Sequence, residues 1–188
     1  MPEFMRQVPE GDNRERLICR TCGHIAYENP KIVVGSVVEH DGRVLLCRRA
    51  IEPRRGYWTL PAGYLEMGET AEDGAAREAF EEAEARIALE GILAVFSISR
   101  IGQVQIIYRA RFAGAPDFGP GPETTETALF DWEDIPWDEI AFPSVRWSLN
   151  AWRARAGRPL EAPARNPAED PRCSRRLPAD AAAMGAAL

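Results

Sequence analysis

The sequence predicts an α/β fold of the α+β type, in which β-strands and helices interleave. Two observations lead to this prediction: strand-length, β-branched segments flank an Asp-Gly turn, and a helix-forming, glutamate-rich segment follows them. We expect three parts, which are an N-terminal segment (1–30), a folded domain (31–157) and a disordered tail (158–188) rich in proline, alanine and arginine.

The first predicted elements of the domain form a hairpin. Residues 31–39 are rich in β-branched side chains and predict a strand, 40–42 (His-Asp-Gly) predict a tight turn, and 43–49 predict the returning strand. A long loop follows over 50–63, with a short strand at 57–60 inside it.

The later elements alternate in the same way. They are strands over 91–99 and 103–112 joined at 100–102, a Gly/Pro-rich loop over 113–122, a strand over 127–132 and a helix over 143–156. This alternation is typical of a layered fold with helices packed on a sheet.

The segment 63–85 carries a patterned run of charged residues. Its fixed positions are, in order, Gly63, Glu69, Arg77, Glu78, Glu81 and Glu82. Residues three and four apart share one face of a helix, so the last three carboxylates stack and repel one another. A divalent cation would compensate this charge, and hard oxygen ligands suit Mg²⁺ or Mn²⁺. The alternative is a solvated acidic helix face, which charge runs often form.

The same segment has the signals of an amphipathic helix. Its apolar residues recur at helical spacing and are Ala76, Ala79, Phe80, Ala83 and Ile87. We expect this stripe to pack on the core, opposite Glu78 and Glu82. Thr70 is the predicted N-cap, and Asp73 three residues later approximates a capping box.

Composition excludes several classes of protein. The chain has 188 residues, with 23 Lys and Arg against 29 Asp and Glu, a net charge of −6, and no basic stripe that would indicate a nucleic-acid partner. It has no apolar run of membrane-spanning length and no signal-peptide pattern, so we expect no membrane partner. The four cysteines form no disulfide framework, which fits a cytoplasmic protein.

A Cys-x-x-Cys pair near the N-terminus has the spacing of half a zinc ribbon. Cys19 and Cys22 are its candidate Zn²⁺ ligands, and His24 could be a third, whereas a closed structural site needs four. The alternative is a knuckle that holds no metal. Cys47 lies in a predicted strand and is interpreted as a core thiol, and Cys173 falls in the predicted tail.

The segment 63–85 resembles the Nudix box, G-x5-E-x7-R-E-U-x-E-E-x-G-U, where U is aliphatic. All six fixed positions named above match, and Ala79 and Ala85 stand at aliphatic positions. Glu84 stands where the pattern has its last glycine. Because that glycine commonly ends the helix in a left-handed turn, its replacement predicts a helix extended to Arg86.

The resemblance extends over residues 14–157. This region resembles the Nudix hydrolases that carry a zinc-ribbon-like segment, and among them the plant-type FAD and ADP-ribose pyrophosphatases, whose ribbons include a further Cys-x-x-Cys upstream. The resemblance implies a Nudix fold, in which a mixed β-sheet lies between helices and the box helix carries the metal ions. It also implies a homodimer, by analogy with related enzymes.

The resemblance further implies a reaction and a set of site residues. In Nudix enzymes, water attacks a phosphorus of a nucleoside diphosphate linked to another group, with Mg²⁺ or Mn²⁺ on the phosphate oxygens. The implied metal ligands are Glu78, Glu81, Glu82 and the main-chain carbonyl near Gly63. The implied catalytic residues are Glu81, Glu82 and Glu126, and Glu123 is a further downstream candidate for the base; both downstream acids could instead be exposed loop residues.

Further residues are candidates for contacts with a small nucleotide substrate. They are Arg48, Arg49, Glu69 and Arg77, of which the first two end a strand and could hold phosphates or remain solvated. Tyr57, Trp58, Phe142 and Trp147 could stack on a base or a flavin, or could belong to the core.

The flanking resemblance favours FAD or ADP-ribose as the substrate, cleaved to AMP and the partner phosphate. The motif SQPWPFPxS, typical of the NADH pyrophosphatases with a zinc ribbon, is absent after the box. Two other classes stay open, a nucleoside triphosphate sanitising enzyme and a non-catalytic ligand sensor. The intact glutamates argue against the sensor.

Overall fold

The computed structural model describes residues 2–168, and the chain divides into two compact units, with the boundary along the sequence between Pro30 and Lys31. The N-terminal unit is an antiparallel sheet of three short strands in sequence order, β1 (Phe4–Gln7), β2 (Arg16–Cys19) and β3 (Ile25–Ala26). The turn after β2 is closed by Gly23, whose φ of 71° suits glycine and whose N–H donates to the Cys19 carbonyl at 2.9 Å.

The second unit contains a seven-stranded sheet and two α-helices. The strands are β4 (Lys31–His40), β5 (Arg43–Arg49), β6 (Trp58–Thr59), β7 (Ala62–Tyr64), β8 (Ile87–Ile98), β9 (Gln103–Phe112) and β10 (Thr124–Phe130), and the helices are α1 (Ala71–Ala83) and α2 (Pro143–Ala154). The main strand order is β10-β5-β4-β9-β8, with β6 paired to β5 and β7 to β4. Because β4 and β9 run parallel while the other pairs are antiparallel, the sheet is mixed, as the Nudix resemblance implied.

The two helices pack on opposite faces of this sheet. Val34 and Val38 of β4 belong to clusters that contain alanines of α1, whereas Val37 lies in the cluster that contains Leu149 of α2. Neighbouring side chains of a strand point to opposite faces, so β4 is covered on both sides. This arrangement confirms the predicted sheet between helices.

Several predicted boundaries shift in the structure. Strand β8 begins at Ile87 rather than Gly91, because Gly91 lies at a register shift inside the strand and does not start it. Strand β10 begins at Thr124 rather than at residue 127, and β7 overlaps the end of the predicted long loop over 50–63. The predicted turn at Asp41-Gly42 is present, with φ values of 50° and 77°.

The predicted disordered tail is partly wrong. Its described part, 158–168, lies along the edge strand β8, where Ala164 donates to the Leu93 carbonyl at 2.9 Å and accepts from the Val95 N–H at 2.8 Å. The Asn166 side chain bonds both backbone groups of Ser97. The segment is ordered because it satisfies an otherwise open sheet edge. The rest of the predicted tail, including Cys173, lies outside the described residues. Within 2–168, no helix is long and apolar enough to cross a membrane.

Candidate active site

The N-terminus of α1 is capped as the sequence predicts. The Asp73 N–H donates to Thr70 Oγ1 at 3.1 Å, and the Thr70 N–H donates to Asp73 Oδ2 at 3.4 Å. This reciprocal pair satisfies backbone donors that the first turn leaves unpaired. The capping box therefore fixes where the helix begins, just after the loop that carries Glu69 and joins β7 to α1.

The predicted orientation of α1 is wrong in part: Ala79 and Ala83 are buried as expected, but Glu78 and Glu82 do not lie on an opposite, open face. The buried residues of α1 are Gly74, Ala75, Glu78, Ala79, Glu82 and Ala83, so two carboxylates share the buried face with the alanines. Phe80, expected in the core, is 48% exposed, and the guanidinium of Arg86 lies over its ring. Small side chains let the helix approach closely: a Cβ on Gly74 would come within 2.9 Å of Val34 Cγ2.

Arg77 ties α1 to the preceding loop. Its Nε donates to Glu69 Oε2 at 3.0 Å and its Nη2 to Glu69 Oε1 at 2.8 Å, which is a bidentate pair. Nη2 also donates to the Tyr64 carbonyl at 2.9 Å. The guanidinium, together with the N–H of Glu66, lowers the pKa of Glu69 to about 2. Glu69 therefore holds Arg77 in place.

The third nitrogen of Arg77 joins two of the predicted metal ligands. Nη1 donates to Glu78 Oε1 at 2.8 Å and to Glu81 Oε2 at 2.9 Å. These contacts bring the carboxylates of one helical turn to a common centre and offset part of their mutual repulsion.

Burial leaves the remaining charge poorly compensated. Glu78 is 8% and Glu82 7% exposed. Burial raises the pKa of Glu82 to about 7, although the Ala62 N–H donates to its Oε2 at 2.9 Å. Burial also raises the pKa of Glu78, against the lowering effect of Arg77. Two buried carboxylates with raised pKa values favour either a proton or a cation.

Gly63 lies directly against the Glu78 carboxylate. A Cβ at this position would overlap the oxygens and the carbon of that group. Gly63 also pairs with Val34 in the ladder between β7 and β4, so its backbone cannot retreat. The glycine at the start of the box is thus required by this close approach.

The C-terminus of α1 corrects another expectation. The helix ends at Ala83 and does not extend to Arg86, because Glu84 itself adopts the left-handed conformation with φ 50°. The Glu84 N–H donates to the Phe80 carbonyl at 2.8 Å and the Ala85 N–H to Ala79 at 3.2 Å. Glu84 therefore forms the left-handed turn that commonly ends a helix at glycine, although a residue with a side chain adopts this conformation less readily.

These groups line a cavity of about 1090 Å³. It brings together most of the predicted site residues, namely Gly63, Glu78, Glu81, Glu82, Arg49 and Arg77. The Arg49 guanidinium lies 5.3 Å from the Phe142 ring centroid, and its Nε donates to the Pro53 carbonyl at 2.8 Å. The cavity therefore combines carboxylates with cationic and aromatic side chains.

Other predicted residues do not line the cavity. Arg48 pairs with Glu126 at 3.3 Å and with Glu139 at 3.4 Å, because adjacent side chains of β5 point to opposite faces. Glu69 contacts Arg77 from outside the lining. Glu123, the other downstream acid, is the one that lies in the cavity wall.

Of the four aromatic candidates, Phe142 alone contributes to the cavity lining. Trp58 and Trp147 are core residues, 5% and 3% exposed, with edge-to-face contacts to Phe130 and Phe96. The Tyr57 ring lies beneath the guanidinium of Arg54. The Trp rings thus stabilise the core and cannot stack on a ligand here.

The sequence interpretation missed several polar lining residues, among them Arg54, Arg100, Gln103 and Gln105. Gln105 donates to Gln103 Oε1 at 3.3 Å, and Gln103 donates to the Tyr64 hydroxyl at 3.2 Å. Gln103 and Gln105 reach the cavity because β9 pairs in parallel with β4, which sets Gln105 beside Val33. The period-two pattern of β9 indicated their strand but not its neighbour.

The donor chemistry of the cavity suits a hard divalent cation. Glutamates 78, 81, 82 and 123 line this cavity and offer carboxylate oxygens of the kind that such a cation prefers. Across residues 2–168, however, no three acidic, Cys or His side chains are already arranged around a common point. Glu78 and Glu81 both accept from Arg77 Nη1, so a cation would need their other oxygens or a release of that contact.

The described residues of the N-terminal unit do not fit a closed zinc site. Cys19 is buried, Cys22 is exposed, and His24 is exposed with its backbone carbonyl accepting from the Cys19 N–H at 2.8 Å. The N–H groups of Cys22 and Thr21 lower the pKa of the Cys19 thiol, as in a metal knuckle. Two thiols and one histidine are one ligand short of the four that a structural site uses.

Comparison with known families identifies both units. The model of the NUDIX domain family matches residues 29–148, and the family described as Nudix N-terminal, a zinc ribbon, matches residues 3–28. Among solved structures, a NUDIX hydrolase from Nitrosomonas europaea is 43% identical, with a TM-score of 0.82 over 87% of this chain and 94% of that one.

Curated proteins show the same likeness at lower coverage. A MutT-like protein from Streptomyces ambofaciens is 36% identical over 100 residues, which are 53% of this chain and 60% of that protein. An ADP-ribose pyrophosphatase from Methanocaldococcus jannaschii is 29% identical over 120 residues, 62% of this chain and 69% of that protein. Since the NUDIX model spans more than half of the chain and five of the six box residues line a common cavity, the chain belongs to the Nudix hydrolase family, as the sequence predicted.

Proposed function

We propose that the protein is a divalent-metal-dependent pyrophosphatase, which hydrolyses a nucleoside diphosphate linked to another group into a nucleoside monophosphate and the partner phosphate. The observation that carries this proposal is the cavity wall itself. Buried Glu78 and Glu82 and the more exposed Glu81 and Glu123 face the same space as Arg49 and Arg77. Such a set suits a cation and a polyanionic substrate together.

The carboxylates would hold the metal, with the Gly63 carbonyl beside them. Mg²⁺ or Mn²⁺ held there would supply charge compensation for a phosphate and a lower pKa for a water molecule. Arg49 is our candidate for binding a phosphate, because it lines the cavity and, within residues 2–168, its guanidinium donates to the Pro53 carbonyl and to no carboxylate. Phe142, beneath the same guanidinium, offers an apolar surface to a base or a sugar.

Glu123 is the best-placed acid outside α1 to accept the proton from water. It lines the cavity. Burial is the main cause of the raised pKa values of Glu78 and Glu82, and the negative charge of Glu123 adds a smaller contribution to both. Glu126 instead faces Arg48. We therefore prefer Glu123 over Glu126 as the downstream catalytic residue.

The substrate class we favour is ADP-ribose or FAD. A cavity of about 1090 Å³ is slightly larger than typical ligand sites of about 300–1,000 Å³ and is large enough for a dinucleotide-sized molecule. The Methanocaldococcus relative is described as an ADP-ribose pyrophosphatase, and this likeness supports the same substrate here.

The test is incubation of the purified protein with FAD, ADP-ribose, NADH and oxidised dGTP, with Mg²⁺ or Mn²⁺ and again with EDTA, and identification of the products by mass. AMP with FMN or with ribose phosphate is the expected result, lost with EDTA. Pyrophosphate with a nucleoside monophosphate would instead indicate a triphosphate-sanitising enzyme. If tight ligand binding occurs without cleavage, the protein is a sensor and the proposal is wrong.

Two matched variants test the choice of base. Glu123→Gln should lower kcat on the order of 10²-fold or more, the size of a general-base contribution, whereas Glu126→Gln should lower it by far less. The opposite ranking would restore Glu126 as the downstream base.

A further inference from the structure

Glu123 lies in a tight turn that is fixed at both ends. The Thr124 N–H donates to the Gly121 carbonyl at 3.0 Å and closes a four-residue turn with Pro122 and Glu123 at its centre. Proline at the first central position presets the backbone of such a turn. Glu123 also accepts a hydrogen bond on its backbone carbonyl from the Ala50 N–H at 2.8 Å.

The start of the turn is attached to the last turn of α1. The Gly121 N–H donates to the Glu82 carbonyl at 3.2 Å, and the Gly119 N–H donates to the Ala83 carbonyl at 2.9 Å. These carbonyls belong to the helix end, where intrahelical partners are missing. The loop thus takes over part of the C-terminal capping of the helix that carries the carboxylates.

Contact distance, and not backbone conformation, requires glycine at position 121. Gly121 is buried, and a Cβ there would overlap the carbonyl oxygen of Glu81. Its φ is outside the left-handed region that favours glycine. Gly114 in the same loop is different, because a Cβ there would meet nothing within 4 Å.

We propose that Gly121 is a positioning residue: its close contact with α1 sets the turn 121–124 so that the Glu123 side chain enters the carboxylate cavity. This role rests on the proposed function. The backbone of Glu82 and the side chain of Glu123 are then linked through a single hydrogen bond and two residues, so the helix end and the downstream acid keep a fixed spacing.

The test compares Gly121→Ala with Gly114→Ala as a matched control. Gly121→Ala must push the loop away from the helix, and displacement of a catalytic group by about 1 Å can cost on the order of 10²-fold. We expect kcat to fall roughly 10- to 100-fold with KM changed little, while Gly114→Ala keeps both values. Amide exchange should become faster at Gly121 and Thr124 in the first variant alone.

The Glu123→Gln background separates positioning from general damage. If Gly121 acts through Glu123, Gly121→Ala should cost little further activity in that background. An equal loss in both backgrounds, or wild-type kcat in Gly121→Ala, would overturn the role while leaving the proposed function intact. Absence of turnover in the unmutated protein would contradict the proposed function and this role together.

Pro122→Gly is a second variant in case Gly121→Ala does not fold. Pro122 is exposed, so its loss should not disturb the core, but it frees the turn that presents Glu123. We expect a smaller fall in kcat that again disappears in the Glu123→Gln background. A fall that persists there would contradict the proposal.

Discussion

At the scale of single residues, Glu82 is an ionisable side chain at a buried position, where its charge destabilises the fold. It lies among the buried alanines of α1, and burial raises its pKa to about 7 from an ordinary value of 4.5. The folded protein therefore holds this proton more tightly than the unfolded chain. Without a metal, its contribution to stability is present below pH 4.5 and is lost as the pH rises through about 7.

Glu82→Gln should consequently stabilise the metal-free protein at pH 8, because glutamine keeps an acceptor for the Ala62 N–H but carries no charge. We expect a gain on the order of 2–3 kcal/mol at pH 8 that disappears near pH 4.5, measured by urea unfolding in EDTA. Glu81→Gln is the control, since that carboxylate is 57% exposed and should give no comparable gain. A gain that does not depend on pH would contradict the electrostatic explanation.

Glu84 is a second residue with an unfavourable environment, because its backbone adopts a conformation that favours glycine. It holds φ 50° at the end of α1, a region that costs a residue with a side chain roughly 1 kcal/mol more than glycine. Glu84→Gly should therefore raise the free energy of unfolding by about 0.5–1 kcal/mol, seen as a higher Tm. Glu84→Ala removes the same carboxylate without relieving the backbone, so equal effects of the two variants would refute this account.

At the scale of elements, Arg77 joins α1 to the loop before it. Arg77→Lys would lose the bidentate pair with Glu69 and at least one of the contacts to Tyr64, Glu78 and Glu81. We expect a loss of about 2 kcal/mol in stability and a lower kcat, whereas Arg86→Lys beyond the helix should change stability by less than about 0.5 kcal/mol.

The pH dependence of the stability of Arg77→Lys tests whether the lost interaction is the ion pair between Arg77 and Glu69. The pKa of Glu69 is lowered to about 2 by Arg77, so its stabilising effect is present above 4.5 and is lost as the pH falls towards 2. The stability gap between wild type and Arg77→Lys should narrow over that range. A constant gap would assign the loss to packing and not to the ion pair.

The same helix shows what a sequence pattern can and cannot predict. The capping box at Thr70 and Asp73 depends on local spacing and was predicted correctly. The burial of Ala79 and Ala83 was also predicted correctly, but that of Glu78 and Glu82 was not, because Gly63 leaves room for the Glu78 carboxylate against its backbone. Hydrophobicity alone predicts that Phe80 is buried and that Glu78 is exposed. In the structure Phe80 is exposed and Glu78 is buried against the backbone of β7.

For the whole molecule, the alternation of elements was enough to predict a sheet between helices, but not the neighbours within it. The parallel pairing of β4 and β9 joins segments about seventy residues apart and sets Gln105 beside Val33. Nothing in either strand encodes that register, and the cavity depends on it. The order of segment 158–168 was not predicted for a similar reason. Its sequence has no strand periodicity, and its pairing with β8 depends on the fold of the rest of the chain.

That segment should contribute measurably to stability. Comparing a chain that ends after 168 with one that ends after 157 isolates it. The shorter chain loses the two backbone hydrogen bonds of Ala164 and the two side-chain bonds of Asn166, and it uncovers the core beneath Leu160. At about 1 kcal/mol for each hydrogen bond, partly offset by the ordering of the segment, we expect the Tm to fall by roughly 5–10 °C.

The uncovered β8 edge should also promote association, because open strands pair with other chains. Asn166→Ala in the longer chain is the matched control and should lower the Tm by a smaller amount, since the Ala164 pairing remains. Equal melting of the two truncated chains, with equal light scattering on heating, would show that residues 158–168 contribute nothing to the fold.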